Sequence, residues 1–271
     1  MTSQFFRPAL LCLLTACALP ALAQTEPQLI TVPLSRPGEP LSLEMSIISA
    51  HIEVIGEARE DAQFEVSVME GTRKIITPSG TQSLSTGAYS MEVEETDNHL
   101  SVSTDWRANQ VHIVARIPRR ADLDLSTVND GVIMVTGIEG KLQLQNVNGP
   151  ITATGISGSV IAESVNETVE VRFDAVDPNA AMSLTSVNGD LILGLPENAG
   201  AELHIDSSEG EITSDYEVEV RPSKPVVSRE NSGKGVEVRV ESVIIANVNG
   251  GGPVIRLKTL NGDIQIRRSG S

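Results

Sequence analysis

Aromatic residues are scarce in this chain of 271 residues, at 3% of the sequence, whereas hydrophobic residues make up 40%. The hydrophobic share is enough for a large core, which excludes a disordered or collagen-like chain. Because rings are so few, the core must be built from valine, isoleucine, leucine and alanine. These side chains fit the narrow interior between closely packed strands.

Cysteine is also nearly absent, since Cys12 and Cys17 both lie within residues 1–23. This segment is typical of a secretory signal peptide, with Arg7 ahead of an apolar stretch and Ala21-Leu22-Ala23 as a small-x-small cleavage site. Cleavage after Ala23 leaves a chain without thiols, so we expect a fold without disulfides.

A second interpretation of the same segment stays open. Leu14-Thr15-Ala16-Cys17 resembles a bacterial lipobox, in which Cys17 becomes the lipidated first residue of the mature chain. The protein would then carry a lipid anchor at Cys17.

Positive charge and long apolar runs are in short supply as well. The sequence has 20 basic and 36 acidic residues, a net charge of -16, and such a chain repels nucleic acid and anionic membrane surfaces. After residue 23, no stretch approaches the roughly 18 consecutive apolar residues that a transmembrane helix needs. We therefore expect an exported protein, periplasmic or on the cell surface, with no nucleic-acid partner and no transmembrane segment.

A short motif recurs in the second half of the chain, and its asparagines are 19, 18 and 22 residues apart. Its copies are Val128-Asn129, Val147-Asn148, Val165-Asn166 and Val187-Asn188. Between them lie Gly137-Ile138-Glu139-Gly140 and Gly155-Ile156-Ser157-Gly158, so each period contains two turns.

Between the turns, apolar and polar residues alternate, as in Leu142-Gln143-Leu144, which is the period-2 pattern of strands. Short strands with Asn-Gly turns can form stacked hairpins or the coils of a β-solenoid, and the even period favours coils. The sequence thus predicts an all-β fold, a β-solenoid with a coil period of about 18 to 22 residues.

Asparagine suits a turn that repeats in this way. It tolerates a left-handed backbone, its amide can bond to the amides of the coils above and below, and a following glycine supplies a second positive φ. We predict a ladder of turn asparagines at Asn129, Asn148, Asn166, Asn188, Asn249 and Asn261.

The mature chain is expected to form a single domain over residues 24–271. We interpret residues 29–125 as irregular early coils, 126–220 as regular coils, 221–235 as a protruding loop and 236–271 as closing strands. The loop is indicated by two prolines and a polar run.

Basic residues gather at this predicted loop, namely Arg221, Lys224, Arg229, Lys234 and Arg239. They are candidates for a docking site for an acidic partner, and a solvated loop with scattered charge is the alternative.

Signals of catalysis are missing from the sequence. None of the four histidines lies within four residues of another, and no nucleophile elbow or phosphate-binding loop is present. Glu163, Asp190 and Asp206 are carboxylates that stacked coils could bring together, as polysaccharide-cleaving solenoids require. We expect no catalytic residues, no metal site and no cofactor.

With its Val-Asn-Gly and Gly-Ile-x-Gly segments, the chain resembles a bacterial family of secreted β-strand-repeat proteins catalogued as putative adhesins. The resemblance covers about residues 40–268, and it is most specific from Val128 to Asn188 and at Leu260-Asn261-Gly262-Asp263-Ile264. It implies adhesion and, for some members, a role in envelope stress.

Together these observations predict an exported, non-enzymatic β-solenoid of the bacterial cell envelope. It would serve as an adhesin-like binding or structural protein whose partner is an envelope protein or a surface glycan. The alternatives are a periplasmic envelope-stress partner protein and a polysaccharide-active β-helix enzyme.

Overall fold

The structure is a computed structural model, and it describes residues 28–68, 75–76, 82–83, 91–104, 111–221, 226–232, 235–241 and 243–270. Every regular element in these ranges is a strand, so the predicted all-β class is confirmed. Within the described part of the chain, no helix is long and apolar enough to cross a membrane.

The strands alternate buried and exposed positions, as the sequence pattern requires of elements with one face on a core. In chain order they are β1 Gln28–Pro33, β2 Leu41–Ile47, β3 Ala50–Glu57, β4 Asp61–Val68, β5 Ile75–Ile76, β6 Gln82–Ser83, β7 Met91–Thr96, β8 His99–Thr104, β9 Val111–Pro118, β10 Ala121–Thr127, β11 Val132–Thr136, β12 Glu139–Asn146, β13 Ile151–Ser164, β14 Val169–Val176, β15 Met182–Thr185, β16 Leu191–Leu195, β17 Ala201–Glu209, β18 Ile212–Ser214, β19 Val218–Arg221, β20 Val226–Ser232, β21 Gly235–Glu241, β22 Ile244–Val248, β23 Val254–Asn261 and β24 Ile264–Arg268.

Twenty of these strands belong to one hydrogen-bonded sheet that curls nearly closed around a single core. The core consists mainly of leucine, isoleucine, valine and alanine, with Phe64 and Phe173 as fully buried rings. The two other pairs, β5 with β6 and β20 with β21, are separate antiparallel hairpins.

Most of the sheet is parallel, and its registers follow the repeat. Leu123 of β10 pairs with Leu142 of β12, which pairs with Val160 of β13. On the other side of the core, Ile133 of β11 pairs with Ile151 of β13, and β13 pairs with β14. We call the side with β10 and β12 the front and the side with β11 and β14 the back.

The strand β13 serves both sides. Its first part pairs on the back with β11, and its second part, from Ser157 onwards, pairs on the front with β12. The chain bends between them at Gly155, whose φ of 65° is in the left-handed region. We call one front strand together with the back strand that follows it a rung.

The described residues form eight rungs that lie side by side, and their order departs from the chain order near both ends. The order is β8–β9, β2–β3, β10–β11, β12 with the first part of β13, the second part of β13 with β14, β15–β16, β23–β24 and β17–β18. The predicted closing strands of 236–271 therefore need correction, because β23 and β24 lie inside the stack.

Antiparallel strands cover most of both ends of the stack. At one end β7 pairs with β8, β4 with β9, and β1 with β4. At the other end β22 pairs with β17, and β19 with β22. A change from parallel to antiparallel pairing stops the repeat, and the three glutamates of β7 discourage further strands at that edge.

The protruding loop predicted at 221–235 is wrong for most of its length. Arg221 ends β19, and β20 and β21 form an antiparallel hairpin over Val226–Ser232 and Gly235–Glu241. Residues 236–241 alternate valine with charged residues, which is a strand signal that the nearby prolines obscured.

Candidate functional site

Four of the predicted turn asparagines are joined by side-chain hydrogen bonds. Asn166 Nδ2 donates to Asn148 Oδ1 at 2.8 Å, and Asn188 Nδ2 donates to Asn166 Oδ1 at 2.9 Å. Asn261 Nδ2 donates to Asn188 Oδ1 at 2.8 Å, while Asn148 Nδ2 donates to the Val128 carbonyl at 3.1 Å. All four are exposed, so this asparagine ladder runs along an outer corner and joins four successive rungs.

The other two predicted members lie outside the asparagine ladder. The backbone N–H of Asn129 donates to the Ile48 carbonyl at 2.7 Å, and Asn148 bonds to Val128 instead of the Asn129 side chain. Asn249 follows the antiparallel strand β22, with a φ of 47°. Its amide donates to the carbonyls of Glu197 and Ala199, both at 2.9 Å.

Of the six asparagines predicted to lie in turns, Asn249 has the left-handed backbone that such turns favour, and the other five do not. Among the described residues, positive φ at a non-glycine residue occurs at Asp97, Asn98, Asp130 and Asn249. The glycine after the asparagine is required by space instead. A Cβ on Gly149 would overlap the carbonyl oxygen of Gly131 in the neighbouring rung, and one on Gly189 would overlap that of Glu167.

Of the five basic side chains in the candidate docking site, the structure describes that of Arg221. Arg221 Nη1 donates to Glu202 Oε2 at 3.1 Å, and it thereby ties β19 to β17. Lys224 and Lys234, and the side chains of Arg229 and Arg239, lie outside the described residues, as do Cys17 and the predicted signal peptide.

The carboxylates considered for polysaccharide cleavage have separate surroundings. Glu163 and Asp206 lie in one front row, with Thr185 and Lys258 between them. Asp206 forms an ion pair with Lys258 at 2.7 Å, and Asp190 Oδ1 accepts the backbone N–H of Asp263 at 2.8 Å. In the part of the chain that the structure describes, no group of three histidine, cysteine or acidic residues is placed to hold a metal ion.

A cleft with a volume of about 450 Å³ opens on the front of the stack, over β10, β12 and β13. We call it the front cleft. Two rows of outward side chains form its floor, each contributed by three neighbouring strands. The rows are Asp122, Lys141 and Ser159, and beside them Asp124, Gln143 and Ile161.

The ends of the front cleft come from other elements. Ser42 of β2 pairs in register with Asp122 and lies at one end. Ala180 and Ala181, from the segment between β14 and β15, line the cleft at the other end. The cleft is therefore about as long as three to four strand spacings of ~4.8 Å each.

The chemistry of the floor is polar with one apolar patch. Asp122 Oδ1 accepts the backbone N–H of Lys141 at 2.8 Å, which fixes the carboxylate against the floor. Asp124 offers acceptors, and Gln143 offers both a donor and an acceptor. Ile161 is 43% exposed beside them. The floor can therefore offer hydrogen bonds and a small apolar contact to a polar ligand.

The front cleft was not among the features predicted from the sequence, although the sequence contains a signal for it. The outward residues of three successive repeats supply its floor, at spacings of 19 and 18 residues. Exposed positions carry no periodic hydrophobic pattern, so only the register derived from the buried leucines could have aligned them.

No protein-family model matches the sequence, and no curated protein matches it. Two solved structures are similar over 90% of this chain, each at 11% sequence identity. One is a putative cell adhesion protein from Clostridium sporogenes ATCC 15579, covered over 100% of its length with a TM-score of 0.44. The other is a putative adhesin from Bacteroides fragilis NCTC 9343, covered over 97% with a TM-score of 0.40. At these values, neither likeness bears on the function of this chain.

Proposed function

We propose that the chain is an exported, non-enzymatic β-solenoid of the bacterial cell envelope, and that it binds a surface glycan in the front cleft. The observation that carries this proposal is the cleft floor, where Asp124, Gln143 and Ile161 lie side by side on three neighbouring parallel strands.

The solenoid part of the proposal rests on the strand registers. From β10 to β16, each front or back strand pairs in parallel with its equivalent one repeat later, at offsets of 18, 19 or 22 residues. Parallel pairing of equivalent strands supports coils over a stack of hairpins, because neighbouring strands of hairpins run antiparallel.

The spacing of the floor suits a sugar chain. Neighbouring strands are ~4.8 Å apart, which is close to the length of one pyranose ring along a linear polysaccharide. A chain lying along the stack would place one sugar over each strand. Asp124 and Gln143 would bind hydroxyl groups, and the apolar face of a ring would cover Ile161.

The charge of the site favours a neutral or amino-sugar glycan over an acidic one. Asp122 and Asp124 both lie on the floor, and Lys141 is the one cation among the described residues that line the cleft. The whole chain carries a net charge of -16, which repels polyanions at low ionic strength.

The proposal is one of binding rather than catalysis. Individual sugar contacts in an open cleft are weak, so useful affinity would come from several subsites on one rigid surface and from several copies on one glycan. Adhesion requires this kind of repeated, reversible attachment.

The test uses residues 24–271 and three soluble probes: cellohexaose as a neutral chain, a chitosan hexamer as an amino-sugar chain and a hexamer of galacturonic acid as an acidic chain. Binding is measured by calorimetry for the unaltered protein and for Ile161→Ala. We expect the neutral or the amino-sugar probe to bind, and Ile161→Ala to weaken that binding about five- to tenfold.

The matched control is Met134→Ala on the back, because Met134 is 44% exposed and Ile161 is 43% exposed, both on strands. Met134→Ala should leave the binding unchanged. Equal losses in both variants, preference for the acidic probe or no binding to any probe would contradict the proposal. Release of reducing ends from a bound probe would favour the enzyme alternative instead.

A further inference from the structure

The rung formed by β23 and β24 is surrounded by rungs that precede it in the chain. Leu257 of β23 pairs with Leu184 of β15 on one side and with Ile205 of β17 on the other. Ile264 of β24 likewise lies between Leu191 of β16 and Ile212 of β18. The rung that comes last in the chain therefore lies between β15–β16 and β17–β18, and we call the space that it fills the slot.

The two walls of this slot have equivalent registers. Met182 and Leu203, which are 21 residues apart, both pair with Ile255. The glycine contacts repeat in the same way, since a Cβ on Gly262 would overlap the Gly189 carbonyl and one on Gly210 would overlap the Gly262 carbonyl. The slot therefore accepts one rung in one register, with its apolar residues facing the core.

Polar contacts also favour residues 254–268 in the slot over an unrelated pair of strands. Arg268 Nη1 contacts Glu197 Oε1 at 2.9 Å, and Lys258 Nζ contacts Asp206 Oδ2 at 2.7 Å. Asn261 extends the asparagine ladder through Asn188. Two of the four basic side chains in residues 254–268 thus have acidic partners, one on β17 and one in the connection between β16 and β17, and these two ion pairs favour this sequence in the slot.

The connection to this rung has the features of a hinge. Residues 249–253 join β22 to β23, and Asn249, Gly250 and Gly251 have φ values of 47°, 83° and 94°. Gly251, Gly252 and Pro253 border an open cavity of about 470 Å³ on one side, and on the other side Gly251 and Gly252 lie close against the backbone of Gly200. Three glycine-permissive positions in a row allow this connection to follow a different path once its contacts with Gly200 are released.

We infer that the slot between β15–β16 and β17–β18 is a docking site for residues 254–268 of a second copy of this chain. Two copies that exchange these rungs remake the hydrogen bonds, the core contacts and the ion pairs of the slot, with only the hinge path changed. Exchange of identical elements is a low-cost route to a dimer, and it would place two front clefts in one particle.

The first test is a disulfide between two copies of the chain. It can form only when residues 254–268 of one copy occupy the slot of the other. Ser183 and Arg256 pair in register between β15 and β23, and both point outward. A Ser183→Cys chain with one affinity tag is mixed with an Arg256→Cys chain with another. The mixture is incubated warm at high concentration and oxidised. We expect a covalent mixed dimer, because residues 24–271 contain no other cysteine.

The control pair is Ser46→Cys and Ser126→Cys, whose hydroxyl groups lie 2.8 Å apart between β2 and β10. Neither residue belongs to the exchanging rung, so this mixture should give only the background of chance oxidation. Equal yields in the two mixtures would overturn the inference.

A second variant tests the same exchange without relying on trapping. The double variant Ser183→Cys and Arg256→Cys fastens the rung within its own chain when oxidised. Light scattering should then show complete loss of dimer formation, and reduction should restore it. Dimers that persist in the oxidised double variant, or unaltered protein that stays monomeric after the same incubation, would contradict rung exchange.

Discussion

Asn188 and Asn261 are 73 residues apart in the chain, yet the Asn261 amide donates to Asn188 Oδ1 at 2.8 Å. This bond continues a series in which the earlier members are 18 and 22 residues apart. The asparagine ladder is therefore set by the spatial order of the rungs and not by their order in the chain.

The first prediction concerns the asparagine ladder. Asn166 both donates to Asn148 and accepts from Asn188, so Asn166→Ala removes two side-chain hydrogen bonds. Because the site is exposed, we expect the free energy of unfolding to fall by about 1 to 2 kcal/mol. Urea denaturation followed by circular dichroism measures the change.

Asn129→Ala is the matched control. Asn129 occupies the same motif, but the Asn148 side chain donates to the Val128 carbonyl and not to the Asn129 side chain. Its effect should be smaller than that of Asn166→Ala. If the two variants lose the same stability, the bonds between the amides do not stabilise the stack.

The second prediction compares a glycine that is required because a neighbouring strand leaves no space with a glycine that is required because its backbone is left-handed. A Cβ on Gly149 would overlap the carbonyl of Gly131, whereas a Cβ on Gly250 meets nothing within 4 Å and is opposed only by a φ of 83°. Gly149→Ala should therefore destabilise the protein by more than the roughly 1 to 2 kcal/mol expected of a left-handed residue such as Gly250→Ala. Thermal melting of the two variants gives the comparison, and a larger loss for Gly250→Ala would contradict it.

The third prediction is a pH dependence. The hydrogen bond between His204 and Glu202, at 2.8 Å, holds the pKa of Glu202 below its ordinary value of 4.5, and the Arg221 charge acts in the same direction. A carboxylate with a lowered pKa stabilises the fold above that ordinary value. The stabilisation is lost as the pH falls through the folded-state pKa.

Glu202→Gln should accordingly lower the urea midpoint at neutral pH and have little effect in strong acid. The difference from unaltered protein should shrink as the pH falls below 4.5 and close once the pH has passed through the lowered folded-state pKa. Glu219→Gln on β19 is the control for removing one negative charge. A difference that stays constant over this range would show that Glu202 acts through packing and not through its charge.

The fourth prediction concerns location. If the protein attaches cells to a glycan, intact cells treated with an impermeant protease should lose it, while a periplasmic control protein stays whole. Western blotting of the treated cells reads the result. Protection of this protein together with the control would place it in the periplasm and favour an envelope protein as its partner.

The alternation of buried residues and the spacing of Val-Asn motifs were enough to predict an all-β chain and the segments that pair. Leu142 and Val160 show why: both are inward residues 18 positions apart, and they are in register. Parity of this kind is a local property of the sequence, so a single repeat reveals it.

Rung order was not predictable in the same way. Asn261-Gly262 and Asn249-Gly250 are the same dipeptide, yet one continues the asparagine ladder and the other forms the hinge. The difference depends on whether the preceding strand pairs parallel or antiparallel, which is decided by contacts distant in the chain. The front cleft was not predicted because its floor residues, such as Asp124 and Gln143, are exposed. Exposed positions do not have to be apolar, so they show no pattern in the sequence.

The antiparallel strands at the two ends of the stack leave its parallel middle free to vary in length. A second copy of residues 139–156, which make up one coil of 18 residues, could pair with its neighbours on both sides in the existing registers. Each such duplication would lengthen the molecule by ~4.8 Å and leave both terminal edges as they are. Duplication of the gene segment for one coil can thus lengthen this protein while the strands that cover its two ends stay unchanged.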